Sequence, residues 1–164
     1  MFEDSVGGMQ ASFVRYFANP HTAMIPRSEE DLARLEAELP SKLPDAYTRF
    51  LMEHGPVHCP TVLRLVLEFG LEQPDLRQFL TPAQALQRTR ESWQRELPAD
   101  LYIFATDCMG NPFCFRRSNA PQKDAPVFFL SPQHEGPMNL AESFDALLGW
   151  YVEHVRQVPV PLKH

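Results

Sequence analysis

Proline is the feature that most limits what this chain can fold into. The sequence holds 16 prolines in 164 residues, about twice the usual share of roughly 5%. Because proline lacks a backbone N–H and fixes φ, it ends helices and avoids the interior of most strands. We therefore expect short helices and strands joined by many loops. The length suits one domain with its own buried core.

Helical patterning appears in four segments between these prolines: 28–39, 44–54, 82–97 and 143–155. The third has the clearest start, because Thr81 predicts an N-cap and Gln84 its capping-box partner. Its expected inward side chains are Ala83, Leu86 and Trp93. Ser28 is the expected start of the first helix, and the last should begin near Ser143, with Asn139 and Glu142 as a rival cap pair. The last has the most regular apolar stripe, which comprises Phe144, Leu147, Leu148, Tyr151 and Val155.

A β-hairpin is predicted in the second half of the chain. Leu101–Thr106 and Phe113–Arg117 are apolar segments on either side of a turn in which Gly110 can adopt positive φ. Val127–Leu130 is a predicted third strand. We also interpret Thr61–Phe69 as a strand, because its leucines alternate with polar residues, although its apolar spacing fits a helix face as well.

Several motifs occur in an order that is typical of one known family. They are Leu43-Pro44-x-x-Tyr47-x-x-Phe50-Leu51-x-x-x-Gly55, the hairpin over 101–115, the strand over 126–129 and the helix start over 140–148. Together they cover about residues 28–152. In this order and spacing the chain resembles the SUKH superfamily, the Smi-one/Knr-four proteins.

The resemblance implies an α+β fold in a single domain. A twisted, mostly antiparallel sheet would have helices packed against it. We expect residues 1–27 to form a loosely ordered lead-in that packs on the domain, with the domain at 28–157 and an extended tail at 158–164.

The resemblance also implies a role. Most bacterial relatives are immunity proteins that neutralise a toxin delivered by neighbouring cells, and eukaryotic relatives regulate cell-wall synthesis. The first hypothesis is therefore a non-enzymatic immunity protein of a polymorphic, secretion-system-delivered toxin, which would bind that toxin stoichiometrically. The alternative is a regulatory adaptor or scaffold. Neither role requires a cofactor.

The charge of the chain bears on the partner. Fifteen Lys and Arg against 21 Asp and Glu give a net charge of −6. This argues against direct nucleic-acid binding and favours a basic protein partner, such as a nuclease-like toxin, although mild acidity can also serve solubility alone. The candidate partner-binding residues are Glu68, Glu72, Asp75, Asp107, Asn111, Glu135 and Trp150.

A third hypothesis is a hydrolase or transferase that uses Cys108 or the region of His54 and His58. The sequence brings no histidine close to Cys108, and Gly55-Pro56 should break a helix that would align the two histidines as metal ligands.

Three sparse cysteines do not form a secreted disulfide framework. The chain shows no signal peptide and no apolar run of about 20 residues, so a cytoplasmic location without a membrane anchor is expected.

Overall fold

The sheet is built from strands that pair in chain order. The structure is a computed structural model, and it describes residues 6–19, 29–39, 42–93 and 100–157. Within these ranges the strands are β1 (Gln78–Phe79), β2 (Leu101–Thr106), β3 (Pro112–Arg116), β4 (Val127–Phe129) and β5 (Met138–Ala141). All neighbours are antiparallel, in the order β1-β2-β3-β4-β5.

Helices precede, interrupt and follow these strands. In the described residues they are α1 (Val6–Phe17), α2 (Glu29–Glu38), α3 (Asp45–His54), α4 (Thr61–Glu68), α5 (Pro82–Trp93) and α6 (Phe144–Arg156). The predicted α+β fold with an antiparallel sheet is confirmed. The hairpin and the third strand lie where the sequence predicted them, whereas β1 and β5 were not predicted.

Strand β2 lies inside the fold, and all six of its residues are buried. Helix α5 packs on it, and Tyr102 and Phe104 contact Tyr47 of α3. The pairing with β3 shifts register between Ile103 and Ala105. At this bulge the Ile103 N–H donates to Thr89 Oγ1 of α5 at 2.9 Å, so the helix satisfies a backbone donor of the strand.

The core between the sheet and helices α3 and α6 is aromatic. Phe50 stacks on Phe79 with ring centres 4.7 Å apart, and Phe104 stacks on Phe115 at 4.2 Å. The ring of Phe144 meets all four of these rings edge-on. Since such pairs add about 0.5–1.5 kcal/mol each beyond area burial, this cluster ties α3, α6 and the sheet into one core.

Two predicted helix caps are confirmed. The Thr81 N–H donates to Gln84 Oε1 at 3.0 Å, and the Gln84 N–H donates to Thr81 Oγ1 at 3.1 Å, which completes the capping box of α5. Ser143 Oγ accepts from the Ala146 N–H at 2.9 Å at the start of α6. Gly55 after α3 has a positive φ of 77°.

The predicted inward face of α5 was partly wrong. Ala83 is exposed, and Ala85 and Thr89 are the buried positions. The helix is turned so that Thr89 reaches the bulge in β2, and Leu86 is left half-buried beside an open groove against α2. The side chain of Trp93 lies outside the described residues.

The strand predicted over Thr61–Phe69 is wrong, because this segment forms helix α4. Val62 and Leu65, three residues apart, are fully buried, whereas Leu67 is 71% exposed. Arg64 and Glu68 also pair at 2.7 Å with the i,i+4 spacing of a helix. Both patterns fitted the leucine spacing, and burial of one helical face decided between them.

Helix α1 forms in the segment that we expected to be a loosely ordered lead-in. It packs on α6 and α3, and it buries Phe13 and Phe17 completely. Both rings contact Tyr151 of α6, with centres 6.2 and 6.3 Å away. The cap predicted at Ser28 and the tail predicted over 158–164 lie outside the described residues.

Candidate functional site

The turn between β2 and β3 is held by its own first side chain. Asp107 Oδ1 accepts from the N–H groups of Met109 at 2.9 Å and Asn111 at 2.8 Å. Its Oδ2 accepts from the Asn111 side-chain amide at 3.1 Å. Gly110 has φ of 84°, which favours glycine. The Asp107 carboxylate therefore has a fixed position at the end of the hairpin.

A second carboxylate supports the turn from beneath. Asp75 is only 5% exposed, and its Oδ2 accepts from the Cys108 N–H at 3.2 Å. Burial raises the pKa of Asp75, and hydrogen bonds from the amide and thiol of Cys108 partly oppose this. The preceding carbonyl, that of Pro74, accepts from the buried Tyr151 hydroxyl of α6. The segment around Asp75 thus joins the hairpin turn to α6.

An open cleft of about 650 Å³ lies beside this turn, and we call it the hairpin cleft. Its walls come from three segments: the loop after α4, the β2–β3 turn and the β4–β5 loop. Its floor includes Phe129 and Met138, which are paired neighbours on β4 and β5. The lining residues are Glu72, Pro74, Asp107, Met109, Asn111, Phe129, Ser131, Pro132, Gln133, His134 and Met138.

Seven candidate residues were predicted from the sequence. Three of them, Glu72, Asp107 and Asn111, lie in the wall of this cleft. Asp75 lies beneath the turn. Glu135 is exposed and follows His134 in the β4–β5 loop. The structure therefore brings together side chains from loops that are far apart in sequence.

The other two candidate residues do not line the cleft. Glu68 is on α4, where it pairs with Arg64. Trp150 is half-buried on α6 and packs against His154, with ring centres 3.9 Å apart. Met109 was not predicted as a site residue, although a large apolar side chain in the turn between two predicted strands was the available signal. It is 80% exposed.

The three groups of the enzyme hypothesis, Cys108, His54 and His58, have shifted pKa values. Loss of hydration raises the pKa of the exposed Cys108 thiol, and the charge of Asp75 raises it further, which disfavours the reactive thiolate. Burial lowers the pKa of both His54 and His58. No group of three or more His, Cys, Asp or Glu side chains in the described part of the chain is arranged to hold a metal ion.

A second groove lies between α2 and α5, with a volume of about 280 Å³. Two of its charged side chains, Asp31 and Arg34, are 3.8 Å apart and compensate each other. Across the described ranges, no helix is both long and apolar enough to cross a membrane.

The fold and the hairpin cleft define a small α+β domain with an acid-rimmed recess at one end of its sheet. Residues 26–150 match the sequence pattern of the SMI1 / KNR4 family (SUKH-1), and the chain belongs to this family. The predicted membership is confirmed. The family is generally non-catalytic and is consistent with an immunity-protein role and a protein partner. No curated protein matches the chain.

Proposed function

We propose that this protein is an immunity protein that binds its cognate toxin domain stoichiometrically in the cytoplasm and blocks the activity of that toxin. The observation that carries the proposal is the family match, which covers 125 of 164 residues from 26 to 150. Bacterial relatives in this family neutralise toxins delivered by neighbouring cells.

The proposed contact surface is the hairpin cleft and its rim. Glu72, Asp107 and Asn111 line the cleft, and the exposed Glu135 belongs to the β4–β5 loop, which supplies another part of the cleft wall. An acidic surface of this kind complements a basic toxin, for example one with a nuclease-like charge. Asp75 would act by fixing the turn that carries Asp107.

Growth of cells that express the toxin tests the proposal. A candidate cognate toxin domain is induced in a sensitive host, with and without this protein. We expect growth to be restored only when the protein is present. A toxin variant that lacks activity controls for the burden of expression. Continued growth arrest in the presence of well-expressed, folded protein would refute the immunity role.

One feature favours the alternative role of a regulatory adaptor. Leu67 is 71% exposed and Phe69 is 45% exposed at the end of α4, and neither lines the hairpin cleft. An apolar surface apart from the cleft suits a protein that contacts a further partner. In that case a housekeeping protein should co-purify with the wild type and be lost with Leu67→Asp, while Met109→Asp has no effect.

A further inference from the structure

The hairpin cleft combines an apolar floor with acidic walls. Phe129 is almost fully buried and Met138 is half-buried, and both contribute to the floor. The carboxylates of Glu72 and Asp107 belong to the same cleft. An arginine or lysine side chain has the complementary distribution, because its long aliphatic stem packs on apolar surface while its head keeps a positive charge.

The acids of the cleft have no ion-pair partner within the described part of the chain, and Arg77 and Arg88 are the cations that act near the turn. Glu72 and Asp107 form no ion pair there, and no lysine or arginine lines the cleft. Arg88 approaches the turn from α5, where it donates to the Gly110 carbonyl at 3.2 Å. Hydrogen bonds already fix Asp107, so a cation that binds there orders few additional groups.

Met109 adds an apolar group beside these charges. It is 80% exposed at the tip of a turn whose backbone is held by Asp107. Methionine is unbranched and polarizable, which suits it to fill a pocket on another protein. A rigid turn that presents one apolar side chain next to an acidic cleft resembles the buried centre and polar surroundings of protein interfaces.

We propose that the partner inserts one arginine or lysine side chain into the hairpin cleft and covers Met109 with an apolar pocket. The identity of the partner as a toxin rests on the proposed function, whereas the chemistry of the contact follows from the cleft. The partner is thus a protein with a basic side chain next to an apolar socket.

A capped glycine–arginine–glycine tripeptide tests the cleft without the toxin. In amide NMR spectra of the full chain we expect saturable shifts at Met109, Asn111 and Met138. The neutral citrulline tripeptide should give none of these shifts. Glu72→Gln should weaken arginine binding by about two- to fivefold, and the exposed Glu142→Gln outside the cleft should not. Equal shifts with citrulline, or no shifts at these amides, would overturn the proposal.

Binding measurements with the toxin domain distinguish a failure of the proposed cleft contact from a failure of the immunity role. If the toxin binds, Met109→Ala should weaken binding at least about fivefold, while the matched variant Leu67→Ala leaves it unchanged. Tight binding that is insensitive to both Glu72→Gln and Met109→Ala would refute the inference and leave immunity intact. No toxin binding by a protein whose cleft still binds the arginine peptide would refute immunity instead.

Discussion

Asp75 and Cys108 are joined by a hydrogen bond from the backbone amide of Cys108 to the carboxylate of Asp75, at 3.2 Å. The two residues belong to segments 33 positions apart, the loop after α4 and the turn of the β2–β3 hairpin. Tyr151 of α6 holds the neighbouring Pro74 carbonyl. Two of the three wall segments of the hairpin cleft therefore depend on contacts formed only in the folded chain.

Removal of the Asp75 carboxylate should weaken this junction. We expect Asp75→Ala to lower the free energy of unfolding by about 0.5–1.5 kcal/mol, because it removes one hydrogen bond to the amide of Cys108, an exposed residue whose amide water can also reach. Asp75→Asn keeps an oxygen in place and should cost less. Urea unfolding of the three proteins measures the difference. An alanine variant as stable as the wild type would show that the bond contributes nothing.

The titration of Asp75 should make the free energy of unfolding depend on pH. Burial raises its pKa in the folded state above the ordinary value of about 4. The folded protein then binds more protons than the unfolded chain between these two values, so stability falls as pH rises through this window. Asp145 contributes in the same sense, since burial raises its pKa too.

The comparison of wild type with Asp75→Asn isolates the contribution of Asp75. The variant cannot ionise at this position, so its stability should fall less than that of the wild type across the same pH window. Urea unfolding at a series of acidic pH values provides the test. Parallel curves for the two proteins would mean that Asp75 titrates with an ordinary pKa when folded.

Substitution of two leucines tests whether this segment is the helix α4, because a strand would place both leucines on the same face. Leu65 is fully buried and Leu67 is 71% exposed. We expect Leu65→Ala to cost about 2–5 kcal/mol and Leu67→Ala to stay within about 0.5 kcal/mol of the wild type. Residues two apart in a strand share one face, so similar losses from both variants would contradict the helix.

The reactivity of Cys108 offers a further test. Its thiol is exposed, but loss of hydration and the charge of Asp75 raise its pKa. We expect slow alkylation by iodoacetamide at neutral pH, and faster alkylation of Asp75→Asn, in which the nearby charge is removed. Mass spectrometry of the labelled protein distinguishes Cys108 from the buried Cys59 and Cys114. Equal rates in both proteins would exclude an electrostatic effect of Asp75.

Local signals predicted several elements because the residues that specify them are close in sequence. The capping box at Thr81 and Gln84 and the Ser143 cap follow from side chains three residues from their partners. Helix α4 could not be predicted from local signals, since its leucine spacing fits a strand and a helix equally. Only the burial of Leu65 against the rest of the core distinguishes them.

The candidate site could be predicted only in part. The sequence indicated acidic loops, and the structure brings Glu72 and Asp107 into one cleft. It could not show that Asp75 is buried beneath the turn, or that Asp124 accepts from the N–H of Phe144 at 2.7 Å at the start of α6. Both depend on contacts between distant segments.

Calorimetric titration of this protein with a candidate cognate toxin domain is the most direct measurement of the proposed binding. We expect saturable one-to-one binding that weakens as salt is raised, because acidic side chains of the cleft meet basic ones of the toxin. An absence of binding by the folded protein at micromolar concentrations of both components would contradict it.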